Sequence, residues 1–167
     1  QYQLEAKLTA KRINVSSNKK LIVHYLHHLG LGGTAKVVQL LAKYFPKDDE
    51  FHHTLAFKAH GEREREPHFE EYLGKDNLIC FASAPEFLYI MRELKPHIVH
   101  RQTAGGPEFP FVKPLDSFAK HLVSTAIFGS TDDTIDISKC IYISNNLQHC
   151  AGHIGKDATL IRIPVES

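Results

Sequence analysis

Leu21-Ile-Val-His-Tyr-Leu-His-His-Leu-Gly-Leu-Gly-Gly-Thr-Ala-Lys36 decides how this chain is read. Leu21 to Leu26 is nearly continuous in apolar residues, the pattern of a parallel strand covered on both faces. Gly30 to Gly33 then bends the chain, and Thr34 opens a helix. The unpaired amides and the dipole of such a helix start both favour an anion. The stretch therefore predicts a strand, a glycine-rich turn and a helix N-terminus facing an anionic ligand.

Working outward, apolar residues at Ala35, Val38, Leu41, Ala42 and Phe45 follow the helical period, and Pro46 stops that helix. Phe51 to Phe57 reads as a second strand and Leu78 to Phe81 as a third. Between them, Gly61-Glu-Arg-Glu-Arg-Glu66 reads as a solvated loop, and Pro67 to Leu73 as a short helix closed by Gly74. Ser83-Ala-Pro-Glu86 has capping-box form ahead of a helix with Phe87, Ile90, Met91 and Leu94 on one face. Pro96 ends that helix. His97 to His100, His121 to Phe128, Cys140 to Ser144 and Thr159 to Ile163 supply further strands. Strands alternating with helices predict an α/β fold: a Rossmann-like three-layer αβα domain whose mainly parallel sheet has about seven strands. Residues 20–167 form that domain, and residues 1–19 a tail or edge element.

In such a sheet ligands collect at the strands' carboxyl ends. That rule gathers the loops holding His27, His28, Gly32, Gly33 and Thr34; His100, Gln102, Gly105 and Gly106; Ser130; and Ser144 and Asn145 on one edge.

The bulk properties narrow the function. The chain has 167 residues, 43% hydrophobic and 23% charged, with a formal net charge of +1. That length buries a real core, and that charge makes no case for nucleic acid as a partner. No apolar run approaches the roughly 20 residues of a membrane-spanning helix. Cys80, Cys140 and Cys150 fall in no metal or redox spacing, which fits a reducing, cytoplasmic setting.

Gly30-Leu-Gly-Gly-Thr-Ala35 formally satisfies the relaxed dinucleotide pattern G-x-G-x-x-A. Three residues separate its first glycine from the strand, however. The second strand also ends in Lys58 and His60 rather than in the acid that would hold a ribose. A nicotinamide-dependent oxidoreductase is thus the weaker reading, and a ligand-free glycine turn is the plainest one. A Walker A motif and a G-x-S-x-G elbow are both absent. The twelve histidines include His24, His27 and His28 across one strand end, and His149 and His153 beside Cys150. Neither group offers three convergent ligands, so no metal is expected.

Four phrases occur in an order that resembles the N-terminal half of a GT-B glycosyltransferase, in the large retaining family that includes glycogen synthases and mannosyltransferases. They are Leu29-Gly-Leu-Gly-Gly-Thr-Ala35; Lys95-Pro-His-Ile-Val-His100, with His97 in place of the usual acid; Tyr142-Ile-Ser144; and Leu160-Ile-Arg-Ile-Pro-Val165. The resemblance implies transfer of a sugar, with retention, from a nucleotide-diphosphate donor to a saccharide or lipid-linked acceptor, without a metal cofactor. It implies donor phosphate or sugar contacts at Gly32, Gly33 and Thr34. It implies an acceptor cleft lined by His100, Gln102, Gly105 and Gly106, with His27 and His28 at the rim. Where many members carry a sugar-contacting His at the end of the fifth strand, this chain has Phe128, beside Gly129 and Ser130. The paired glutamates and nucleotide pocket of that family belong to a C-terminal domain, expected to begin about where Ser167 lies. The chain is accordingly expected to be the inactive acceptor half of such an enzyme, with catalytic residues unassigned. Its partners would be that C-terminal domain and the acceptor, with room for peripheral membrane association of the whole protein. The rival from the binding class is a non-catalytic module that holds a saccharide or a partner.

Overall fold

A computed structural model describes residues 1–103, 121–126, 137–142 and 157–160. Its strands are β1 (Lys20–Leu26), β2 (Phe51–Lys58), β3 (Leu78–Phe81), β4 (Ile98–Thr103), β5 (His121–Ala126), β6 (Ile137–Tyr142) and β7 (Asp157–Leu160). They form one sheet in the order β3-β2-β1-β4-β5-β6-β7, and every pairing is parallel. The helices are α1 (Tyr2–Arg12), α2 (Gly33–Ala42), α3 (Glu66–Leu73) and α4 (Ala84–Leu94). This is an α/β fold with a parallel sheet flanked by helices, consistent with a Rossmann-like fold.

Alternation along the strands divides the core in two. Leu21, Val23 and Tyr25 of β1 join Ala56, Ile79, Phe81 and Val99 against Phe87, Ile90 and Met91 of α4. Leu26 joins Leu55 and Phe57 against Ala35, Val38 and Ala42 of α2 and Phe69 of α3. Burying side chains of this size is worth about 1.5–3 kcal/mol each. The cap predicted for α4 is present: Ser83 Oγ accepts from the Glu86 amide at 3.3 Å. Glu86 Oε2 reaches back to the amide of Ala82, at 2.6 Å, one residue earlier than a capping box requires.

Residues 1–19, expected to be a tail or edge element, carry the helix Tyr2–Arg12, which packs on α4. Ala6 makes that contact with no exposure, while Leu4 and Leu8 stay in solvent. The helix opened by the glycine bend ends at Ala42, and Phe45 starts a separate 3-10 turn, Phe45–Lys47. A residue before proline disfavours the α conformation, so the helix yields ahead of Pro46. β4 extends past its expected end at His100 to Thr103, placing Gln102 inside the strand rather than in the loop after it. β6 and β7 begin earlier than the apolar runs suggest, at Ile137 and Asp157.

Candidate functional site

Strand order reverses between β1 and β4: β2 and β3 lie on one side, β5 to β7 on the other. Chains leaving the two central strands diverge there, and the crevice this opens is where such sheets hold ligands. The glycine bend follows β1 and therefore stands at this crevice.

The bend is held from one side. Leu29, fully buried, donates to the Glu62 carbonyl at 2.8 Å and accepts from the Arg65 amide at 2.9 Å. Arg65 Nε donates to the Gly30 carbonyl and Nη2 to that of Leu31, both at 3.0 Å. Its Nη1 donates to Gln39 Oε1 of α2 at 2.8 Å. The charged run from Gly61 to Glu66, expected to be merely a solvated loop, is thus the clamp on the bend. Gly30 leaves little room for a side chain, because a Cβ there would strike the Glu62 side chain and lie 2.9 Å from His28 Nδ1, so that one of them would have to shift. At Gly32 and Gly33 an added Cβ would meet nothing within 4 Å.

Gly32 caps α2 with no side-chain bond, and the first backbone bond runs from Lys36 N to the Gly32 carbonyl at 3.2 Å. A helix start leaves the amides of its first turn, here Gly33, Thr34 and Ala35, without helical partners. With Arg65 occupying two carbonyls of the bend, the opposite, amide-lined side is the electropositive one.

His27 is exposed and its Nδ1 lies 3.1 Å from Lys58 Nζ. His28 accepts from the Gly30 amide at 3.1 Å and lies 3.8 Å from Glu62. His27 is thus exposed beside Lys58, whereas His28 is turned into the loop clamp. Gly105, Gly106, Ser130, Ser144 and Asn145 lie outside the described residues, as do Phe128, His149, Cys150 and His153.

His24 and His100 lie below, joined by His53, which no sequence motif singles out. Asp48 Oδ2 bonds His53 Nε2 at 2.7 Å, and His53 Nδ1 meets His24 Nε2 at 2.8 Å. His24 Nδ1 meets His100 Nδ1 at 3.0 Å, and His100 Nε2 meets Thr125 Oγ1 at 2.7 Å. This chain of bonds crosses β2, β1, β4 and β5 in turn. Phe45 stacks on His24 and on His53, which is the packing role of the 3-10 turn.

Burial drives the chemistry of these groups. His24 is held well below the ordinary imidazole range by desolvation, then by His100 and His53. Desolvation first, and His53 second, lower His100 to about 4. His53 is also lowered by burial, against the opposing pull of Asp48. The His53 bond, then the Phe51 amide, hold Asp48 at about 2. At neutral pH the row is a carboxylate followed by three neutral imidazoles.

At its upper end, Gln102 is 3% exposed and pairs with Thr125 across the sheet. Gln102 Oε1 has no hydrogen-bond partner among the described residues. A buried acceptor left open costs roughly 1–3 kcal/mol. Among the described residues no group of three or more His, Cys, Asp or Glu is disposed to hold a metal ion, and no helix is long and apolar enough to cross a membrane. No known protein family, curated protein or solved structure matches this chain.

Proposed function

We propose that this chain is the acceptor-side domain of a retaining GT-B glycosyltransferase. A second, nucleotide-binding domain would complete the cleft and the αβα half-fold of about seven strands would present it. The transferred sugar would come from a nucleotide-diphosphate donor and pass, in the cytoplasm, to a saccharide or lipid-linked acceptor without a metal cofactor. One observation carries the reading. At the β1/β4 switch point a helix N-terminus with no side-chain cap and two sterically open glycines follows β1, and the neighbouring strand β4 carries Gln102, whose Oε1 has no hydrogen-bond partner among the described residues. The first suits a phosphate or a sugar brought close to backbone, and the second suits a sugar hydroxyl. Gly32, Gly33 and Thr34 would face the donor, and His27 and Gln102 the acceptor, with His100 set behind by its bonds to His24 and Thr125.

A nicotinamide cofactor is a poorer fit, because the end of β2 offers Lys58 beside His27 where ribose hydroxyls need an acid. A saccharide-binding module without chemistry shares the acceptor contacts and differs in having no donor.

Amide spectra of the labelled chain, titrated separately with UDP-glucose, GDP-mannose, short oligosaccharides and NADH, test the proposal. Shifts at Gly33 and Thr34 with a nucleotide sugar, and near Gln102 with oligosaccharide, are expected, with no transfer by the chain alone. Shifts with NADH only would overturn it. Saccharide shifts without any nucleotide-sugar response would favour the binding module.

A further inference from the structure

We infer that Asp48, His53, His24, His100 and Thr125 form a proton relay that draws a proton from an acceptor hydroxyl at the β4/β5 edge and delivers it to solvent beside β2. The inference rests on reading that edge as the acceptor side. The bonds themselves assign the relay's direction. An ionised carboxylate only accepts, so Asp48 obliges His53 to carry its proton on Nε2. His53 Nδ1 is then bare and accepts from His24 Nε2–H. His24 Nδ1 accepts in turn from His100 Nδ1–H. His100 Nε2, bare, accepts the Thr125 hydroxyl proton. Every donor in the row points toward Asp48.

The upper end carries two hydroxyl-accepting oxygens, both on buried side chains. Thr125 has spent its one proton on His100, so its oxygen offers only lone pairs, and Gln102 Oε1 beside it is also an open acceptor. Tyr25 pairs with Arg101 and Gln102 with Thr125. That register sets Gln102 and Thr125 level with Leu26, the last residue before the rim. Paired strands lie about 4.8 Å apart, a spacing that suits two neighbouring hydroxyls of one sugar ring. When one of them attacks an anomeric carbon, its O–H bond breaks as the new C–O bond forms. Its proton passes to Thr125 Oγ1, whose own proton passes to His100 Nε2. The Nδ1 proton of His100 moves to His24 Nδ1, and the Nε2 proton of His24 to His53 Nδ1. One proton has entered, His100 and His24 have switched tautomer, and the charge rests on His53 as an imidazolium against the Asp48 carboxylate. The nucleotide diphosphate leaves with the bonding electrons of the sugar.

The lower end discharges it through Asp48: the His53 Nε2 proton passes to Asp48 Oδ2, whose side chain is 31% exposed, and from there to water. A cavity of about 220 Å³ opens beside His53, between Lys19, His52 and Asn77, with room for water. The groups acting electrostatically on the row are Asp48, His52 and Lys19 around His53, and the relay's own imidazoles further in. Lys19 donates to the Asp48 carbonyl at 2.7 Å and His52 bonds Asn77 Oδ1 at 2.7 Å, so neither interrupts the row.

Two-bond nitrogen–proton spectra of the histidine-labelled chain separate protonated from bare ring nitrogens. At pH 7 the expected set is Nε2–H on His53 and His24 and Nδ1–H on His100. On acidification the first proton should appear as imidazolium at His53 while His24 and His100 switch tautomer at the same midpoint. In Asp48→Asn the amide donates to His53 Nε2 instead, and all three rings should reverse, leaving His100 with Nε2–H. A different resting set, or independent midpoints for the three rings, overturns the relay even if the variant fails to fold. So does a folded Asp48→Asn in which His100 is unchanged. The spectra are read without saccharide or nucleotide, so the relay stands or falls separately from the acceptor-domain reading, which the titrations above decide.

Discussion

Arg65 Nε donates to the Gly30 carbonyl at 3.0 Å across 35 residues of chain. That one guanidinium, also holding Leu31 and Gln39, fixes the shape of the bend from outside the crevice. Arg65→Ala should therefore lower stability by about 1–2 kcal/mol, the usual scale for charge-assisted bonds that solvent partly replaces. Amide exchange at Gly32 to Thr34 should speed up at the same time. Arg65→Lys should recover little of either, because one ammonium cannot span the carbonyls that a planar fork reaches. Urea titration and hydrogen exchange provide the check, and unchanged exchange in a folded Arg65→Ala would remove the clamp's role.

Gly33 separates ligand demands from folding demands. It is the first residue of α2, and an added Cβ meets nothing. Alanine there should stabilise the chain by roughly 0.5–1 kcal/mol, as alanine generally does for glycine in a helix. The methyl group would nevertheless stand between the backbone and anything approaching it. Gly33→Ala is expected to melt higher while losing the amide shifts that UDP-glucose or GDP-mannose produces. A variant that melts lower, or that keeps those shifts, contradicts this account.

Lys95 closes α4 in the left-handed region, at φ 48° and ψ 58°, directly before Pro96. For a residue with a Cβ that conformation costs roughly 1–2 kcal/mol, and glycine is the usual solution at this position. Lys95→Gly should raise stability by about 0.5–1 kcal/mol after the added entropy of the unfolded chain is offset. A thermal melt decides it, and a lower midpoint would mean that the Lys95 side chain contributes more than its backbone costs.

The parts of the fold legible in the sequence are those whose burial leaves a hydrophobic trace. β1 to β3 are apolar runs, and α4 carries both its cap and its stripe. β4 outran its expected end because Arg101 and Gln102 are polar, yet Arg101 is fully buried on the α4 side near Ser124. Polar residues placed inside a strand look like loop to any apolar pattern. α1 escaped for the opposite reason, since the residue it buries is a small alanine and its leucines face water. The glycine bend could be read because its chemistry is local. The histidine row could not, because only the pairing of Ile22 with His53 and of His24 with His100 brings its members together, and register is a tertiary property.

The same row sets how the chain responds to acid. His24 and His100 have folded pKa values below that of a free imidazole, so the unfolded chain binds more protons through the intervening range. Their stabilisation is complete above about pH 6.5, where both states are neutral. It is lost as pH falls toward about 4, the value of His100. A displacement of that size at one imidazole corresponds to roughly 3–3.5 kcal/mol, and His24 adds to it in the same direction. Asp48, held at about 2, contributes stability that is present above the ordinary carboxylate range and lost only below it. Its side chain is 31% exposed, so screening limits that second loss to about 1 kcal/mol. Unfolding free energy measured in urea should therefore begin to fall near pH 6.5, well before carboxylates titrate. Replacing His24 with leucine should flatten that first descent whatever it does to stability at pH 8. Replacing the exposed His27 should leave the descent in place. A wild-type profile flat from pH 7 to 4.5 would show that the imidazoles do not bury their neutral forms.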